Sequence, residues 1–87
     1  MGENIMEALE MYANRNKQLF VSIVRQGLNE ILGDAAAETL IHYIGGNEIL
    51  QDPNVMVHRL RAVLGVGADI IFRHIVREMK KVENSVG

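Results

Sequence analysis

The chain has 87 residues, of which 48% are hydrophobic, 5% are aromatic and none is cysteine, and its formal net charge is −2. This length provides one domain with a modest and mostly aliphatic core. The lack of cysteine excludes a disulfide scaffold, a thiolate metal site and a cysteine nucleophile. No apolar run approaches the roughly 20 residues of a membrane span, and the first residues carry acids where a secretory signal carries bases. We therefore expect a single domain over residues 1–87, located in the cytoplasm and not associated with a membrane.

The first third of the sequence predicts one long helix or two nearly coaxial helices. Apolar residues keep a single phase of about 100° per residue from Ile5 to Ile31. A straight helix of that length would be roughly 40 Å long, so it would project from a compact domain of this size. The alternative is a break near residues 14–18 that folds the first segment back onto its own core.

A projecting helix would leave apolar side chains in water, which favours pairing with a second copy of the chain. We therefore predict a homodimer, with residues 1–17 as an oligomerisation arm. A polar residue inside the seam would fix the register of the pairing, as in coiled coils. The predicted partner-binding residues are Ile5, Met6, Leu9, Tyr12 and Asn16.

A second helix is predicted over about residues 35–44. Gly33 ends the preceding helix, and Asp34 is predicted to cap the new one, because a carboxylate there can accept from free backbone N–H groups. The sequence AAAETLIHYI then stops at Gly45 and Gly46. A short connector, NEILQ, follows.

The last third of the sequence predicts two more helices. Asp52 followed by Pro53 is a strong helix start, and this helix should end at about Leu64. The final helix begins near Gly67, and residues 83–87 should form a flexible tail. No segment alternates as a strand would. The sequence thus predicts an all-α fold, a compact bundle of four or five helices.

A shift of 32 residues reveals a possible helix–turn–helix repeat. Residues 28–44 align with residues 60–76, and five of the seventeen aligned positions are identical, including Gly33 with Gly65. Both glycines are predicted to end a helix with a positive φ. The glycine-rich stretch VLGVGAD is therefore predicted to be a helix stop and not a phosphate-binding loop, which would need a preceding strand or a Gly-Lys-Ser/Thr sequence.

The segments LNEILG, AAETLIHYI and RLRAVLGVGADIIFRHIV, with the Asp52–Pro53 helix start, span about residues 27–80. This arrangement resembles a family of small archaeal all-helical proteins of uncharacterised function. The same domain occurs as an output module of archaeal sensory proteins. The resemblance implies an all-α domain with an interaction role, and it supplies no catalytic residue.

The three histidines, His42, His58 and His74, are the candidate metal ligands. Glu38 with His42, and His74 with Glu78, each place an imidazole and a carboxylate on one helix face. If the two repeats packed together, these groups could converge on a divalent ion. No His-x-x-x-His or Glu-x-x-His pair is present, so solvated ion pairs are the favoured interpretation and no metal or other cofactor is predicted.

The last helix carries a basic strip formed by Arg73, Arg77, Lys80 and Lys81. Residues 53–87 hold six basic and three acidic residues, whereas residues 1–52 hold three basic and eight acidic residues. A basic strip on a helix can contact nucleic-acid phosphates. Glu78 lies within this strip in sequence and the overall charge is negative, so nucleic acid is a less favoured partner than protein.

No residue set indicates catalysis. Ser22 has no His, Asp or glycine elbow beside it in the sequence. The sequence therefore predicts a non-enzymatic protein-interaction and oligomerisation module, with an output or regulatory role in signalling. The alternatives are a small nucleic-acid-binding regulator and a His/Glu metal-binding protein.

Overall fold

A computed structural model describes residues 4–86, with side chains described for residues 4–84. The described residues form helices only, so the all-α prediction is confirmed, but there are six helices instead of four or five. The helices are α1 (Ile5–Arg15), α2 (Lys17–Leu32), α3 (Asp34–Ile44), α4 (Asn47–Leu50), α5 (Pro53–Leu64) and α6 (Gly67–Val86). Two differences account for the number: the N-terminal helix is broken, and the predicted connector forms the single turn α4.

Asn16 breaks the N-terminal helix. Its backbone is extended, with φ −159° and ψ 96°, and it is both the last cap of α1 and the first cap of α2. The Asn16 side chain accepts a hydrogen bond from the Leu19 N–H at 3.0 Å, which satisfies one of the free donors of the first turn. The preferred prediction of a long projecting helix is therefore wrong, and the alternative, a break near residues 14–18, is confirmed, because α1 turns back and packs against α2, α5 and α6. The radius of gyration is 12.1 Å, as expected for a compact domain of this length.

The core is almost entirely aliphatic and receives buried side chains from all six helices. Phe20 and Phe72 are its two largest fully buried side chains. Among the described residues no polar or charged residue is buried. Hydrophobic burial, and not a buried polar network, therefore holds these helices together.

Gly33 and Gly65 end α2 and α5, as predicted. Their φ values are +88° and +61°, and each N–H donates to the carbonyl oxygen four residues earlier, Asn29 or Arg61, at 2.8 Å. Their ψ values, 156° and −137°, differ from the left-handed helical value of about +47° and fall near an extended region used mainly by glycine. Glycine is required at both positions because the chain reverses within one residue.

The two repeats have the same order of elements, α2–Gly33–α3 and α5–Gly65–α6. They differ in where the second helix begins, because α3 starts directly after Gly33 whereas α6 starts two residues after Gly65. The aligned alanines consequently differ in burial: Ala36 is exposed and Ala68 is buried. The repeat is therefore present at the level of secondary structure and is offset in its packing.

Side-chain caps were predicted at the N-termini of both α5 and α3, and only the one at α5 is present. Asp52 caps α5 as expected, since its carboxylate accepts from the Val55 N–H at 3.4 Å and Pro53 occupies the first turn. The prediction for Asp34 is wrong: Gly33 is the cap residue of α3, and no side chain caps this helix. Asp34 instead places its negative charge in the first turn, where the helix dipole favours it.

The C-terminal segment is helical through Val86, where a flexible tail over 83–87 was predicted, and Gly87 lies outside the described residues. Arg15 and Glu83 form an ion pair at 2.7 Å that joins the end of α1 to α6. The hydrogen bond that the Arg15 guanidinium donates to the Glu83 carboxylate raises the pKa of Arg15 above its usual value.

Candidate functional site: an apolar groove between α3 and α5

An open apolar groove of about 610 Å³ lies between α3 and α5. Most of its lining comes from one face of α3, and Val63 on α5 forms the opposite side. The lining residues are Ala35, Ala36, Thr39, Leu40, Tyr43 and Val63. No charged side chain belongs to this lining, so the groove is suited to apolar groups.

Tyr43 is a large lining residue that is unusually exposed. Its exposed fraction is 76%, and that of Val63 across the groove is 45%. The Thr39 hydroxyl between them donates to the Ala35 carbonyl oxygen at 3.0 Å, so it is already satisfied within the helix. Single exposed hydrophobic residues are common on protein surfaces, but adjacent ones that line a concave site mark candidate binding surfaces.

The C-terminal end of α3, beside Tyr43, is fixed by Arg59 of α5. The Arg59 guanidinium donates to the Ile44 carbonyl oxygen at 2.6 Å, which satisfies one of the carbonyl groups left free at the helix end. Gly45 follows with a φ of +124°. The groove is thus formed by two helices that are connected at this end by a charge-assisted hydrogen bond.

The residues predicted to bind a partner do not form an exposed surface. Leu9 and Tyr12 are 0% and 3% exposed in the core, and Ile5 and Met6 are partly buried against it. Asn16 is used as a helix cap. Residues 4–17 thus form no projecting apolar face, and residues 1–3 of the predicted arm lie outside the described residues.

The three histidines are not brought together. His42 and His58 are exposed, and Glu38, the predicted partner of His42, instead pairs with Arg25 at 2.5 Å. His74 is half-buried and lies 3.0 Å from Glu30, and Glu78, its predicted partner, pairs with Lys81. In the part of the chain that the structure describes, no group of three or more metal-ligating side chains could hold an ion.

The ring of His74 packs over the backbone of α2. A Cβ atom added at Gly27 would lie 3.1 Å from His74 Cδ2, so glycine permits the close approach of α2 and α6 at this point. The His74–Glu30 contact thus joins the first repeat to the second. Its position supports a structural role for this histidine.

Part of the predicted basic strip lines a small cleft between α1 and α6, whereas Lys81 is not among the lining residues. Arg73, Arg77 and Lys80 surround it together with Ile5 and Val76, and its volume is about 220 Å³. Glu78 does not line this cleft, because its carboxylate bonds with Lys81 at 3.2 Å. The interruption expected from the sequence is therefore not present in the cleft itself.

A third cleft, of about 350 Å³, is polar and lies where α1 meets α4 and α5. Its lining includes the carboxylates of Glu10, Glu48 and Asp52 and the ammonium group of Lys17. Glu10 accepts a hydrogen bond from the Asn54 amide at 2.8 Å. These contacts are those of an exposed polar surface.

The groove residues were not identified from the sequence. One signal was available: Ala35, Thr39 and Tyr43 recur every four residues on a face of α3 other than the one that carries the core residues Ala37 and Ile41. When a helix has two apolar faces and packs on the core with one of them, the second face stays accessible for binding. Here the second face borders the groove.

No family model matches this chain, and neither a curated protein nor a solved structure matches it. Within residues 4–86 no helix has the length and apolar character needed to cross a membrane.

Proposed function

We propose that this protein is a non-catalytic protein-interaction module and that the α3–α5 groove is its contact surface. The observation that carries the proposal is Tyr43, a large side chain with 76% of its surface exposed in a groove without charged lining. Tyrosine is enriched at protein interfaces, where its ring supplies contact area and its hydroxyl a hydrogen bond. Residues of this kind are frequent centres of binding energy.

The fold supports an association that is not required for folding. The accessible surface is 5390 Å², close to the value of about 5,100 Å² that is typical of a folded monomer of 9.7 kDa. Hydrophobic residues fill the core, and Oδ1 of Asn29 on α2 is the buried side-chain polar atom among the described residues that has no hydrogen-bond partner. We accordingly propose that the partner binds and dissociates while the domain stays folded.

The role we propose for this module is regulatory, an output or adaptor domain in the cytoplasm. It is the role implied by the resemblance of residues 27–80 to the small archaeal helical family. The groove supports it, because a domain that transmits a signal by contact needs an exposed binding surface and no reaction chemistry. The proposal assigns no catalytic residue and no cofactor.

The test is photo-crosslinking in cells that express the protein. A photoreactive amino acid is introduced in place of Tyr43, in the groove, and in place of Glu48, an exposed residue of the polar cleft, as the matched control. We expect a discrete covalent adduct with a protein from position 43 and none from position 48. Equal labelling at both positions, or no adduct at position 43, would contradict the proposal.

A second candidate function, nucleic-acid binding, is favoured by the cleft that Arg73, Arg77 and Lys80 line. Phosphate contacts by three cations would give a logarithmic salt slope of about −2.7 on duplex DNA. The test is fluorescence anisotropy of a labelled duplex over a salt series. Arg73→Gln with Arg77→Gln should reduce both affinity and slope, whereas Lys17→Gln, in the polar cleft, should have little effect. A slope near zero in the wild type removes this candidate.

A further inference from the structure

We propose that the occupant of the α3–α5 groove is a second copy of this chain, with the two α3 helices packed antiparallel about a two-fold axis at Thr39. This inference rests on the proposed function and specifies its partner. It replaces the N-terminal arm with a different surface, one that the fold leaves accessible.

The spacing of the groove residues along α3 is self-complementary. Ala35, Thr39 and Tyr43 are four residues apart, so Ala35 and Tyr43 each lie about 6 Å from Thr39 along the helix axis, on opposite sides. A two-fold axis at Thr39 therefore places the Tyr43 ring of each copy over Ala35 of the other. The large exposed side chain meets a small one twice, as an isologous interface requires.

The surroundings of the groove allow this pairing electrostatically. No lining residue is charged, so the two apolar faces meet without bringing like charges into the seam. The neighbouring ridge of α3 carries Asp34, Glu38 and His42, again four residues apart. Antiparallel pairing sets His42 of one copy at the level between Asp34 and Glu38 of the other, where a ring N–H of the imidazole can donate to a carboxylate. Each Glu38 already pairs with its own Arg25, which reduces repulsion between the two copies.

The area available predicts a weak and reversible dimer. The α3 helix has 11 residues and is about 16 Å long, and the groove adds only Val63 from α5. We expect so short a contact to bury less than the roughly 1,200 Å² of total area that marks stable interfaces. We therefore expect a dissociation constant in the micromolar range or weaker, and a dimer that forms as concentration rises.

The test measures molar mass by sedimentation equilibrium from about 10 µM to about 2 mM. The wild type should pass from monomer to dimer, and Tyr43→Ala should raise the dissociation constant at least about tenfold. Ala35→Tyr should raise it similarly, because it brings a second tyrosine against the partner's first. Met11→Ala is the matched control: Met11 is 41% exposed on α1, outside the groove, and its truncation should leave the dissociation constant within about twofold.

The decisive variant exchanges the two residues. Ala35→Tyr combined with Tyr43→Ala moves the large side chain to the other side of the two-fold axis, so complementarity should return and the dissociation constant should fall to within about threefold of the wild type. Circular dichroism of each variant should match the wild type, because both positions are exposed or line an open groove on α3. A double variant as weak as the single ones overturns the proposed pairing.

The remaining outcomes separate this inference from the function on which it rests. A wild type that stays monomeric at every concentration, with a position-43 adduct to a different protein, overturns the second copy and retains the interaction module. A monomeric wild type without any adduct overturns both. A dimer that Tyr43→Ala leaves unchanged places the interface elsewhere and overturns the inference.

Discussion

Replacing Asn16 by alanine tests whether one side chain determines the path of the N-terminal third. The substitution removes the hydrogen bond that the Leu19 N–H donates to the Asn16 side chain at 3.0 Å. Loss of an asparagine cap costs about 1 kcal/mol of stability. For a domain of this size that corresponds to a decrease in melting temperature of roughly 4–8 °C. We expect Asn16→Ala to be destabilised by this amount and to keep the native fold.

The fold should survive because the alternative, a continuous helix, loses more than it gains. Alanine in place of asparagine favours the helix by roughly 0.5–0.7 kcal/mol. Straightening the chain would pull α1 off the core and expose Leu9 and Tyr12, which are 0% and 3% exposed now. Each such side chain contributes roughly 1.5–3 kcal/mol by its burial. Burial therefore outweighs the local preference by about 2 kcal/mol or more.

Thermal and urea unfolding, followed by circular dichroism, measure the stability change, and small-angle scattering measures the shape. Asn14→Ala is the control, because Asn14 is an exposed helical residue of α1 that caps no helix. It should lose no stability. Asn16→Asp should keep most of the cap. A helix over residues 5–32 would be about 42 Å long, longer than the 35 Å largest extent of the domain. An increase in the maximum dimension of Asn16→Ala, or an unchanged melting temperature, would refute the reasoning.

Two further predictions concern the glycine helix stop and the core. Gly65→Ala should lower the free energy of unfolding in urea by about 1–2 kcal/mol, because φ is +61° there, although no atom would contact the added Cβ. Gly67→Ala is at the helical start of α6, where the space is equally open. It should be neutral or stabilising by up to about 1 kcal/mol. Equal effects at the two positions would contradict the backbone explanation. Leu9→Glu should unfold the domain or destabilise it by more than about 4 kcal/mol, since it places a carboxylate at a fully buried position. A Leu9→Glu protein with native stability and half the wild-type mass would instead support the N-terminal arm.

Helix ends could be predicted from the sequence where a proline or a glycine sets them by its own backbone conformation. The predicted bounds of α5 match the observed Pro53–Leu64, because proline fixes φ at the start and Gly65 permits the reversal at the end. The break at Asn16 lies in the range 14–18 that was predicted as the alternative, but the continuous helix was preferred because the apolar phase continues through the break. Periodicity reports which face is buried and is insensitive to a reversal that preserves that face.

The groove was not predictable because it depends on the packing of neighbouring helices. Tyr43 and Ile44 are adjacent apolar residues in α3, yet Ile44 is 2% exposed and Tyr43 is 76% exposed. The covered face of α3 packs mainly against α2, whereas the exposed face borders the groove opposite Val63 of α5, and this arrangement depends on how the helices pack. The sequence thus predicted helix α3 but did not show which of its faces is exposed.

The absence of any buried polar residue among those described has an evolutionary consequence. An aliphatic core constrains total volume and pattern, and exchanges among leucine, isoleucine, valine and methionine at similar volume cost little. Lineages that descend from this chain should therefore diverge rapidly at core positions such as Leu28 and Ile75 while they keep the same fold. Gly33 and Gly65 have no such freedom, because their backbone conformation excludes other residues. Related sequences should therefore keep the spacing of the two glycines after most core residues have been exchanged.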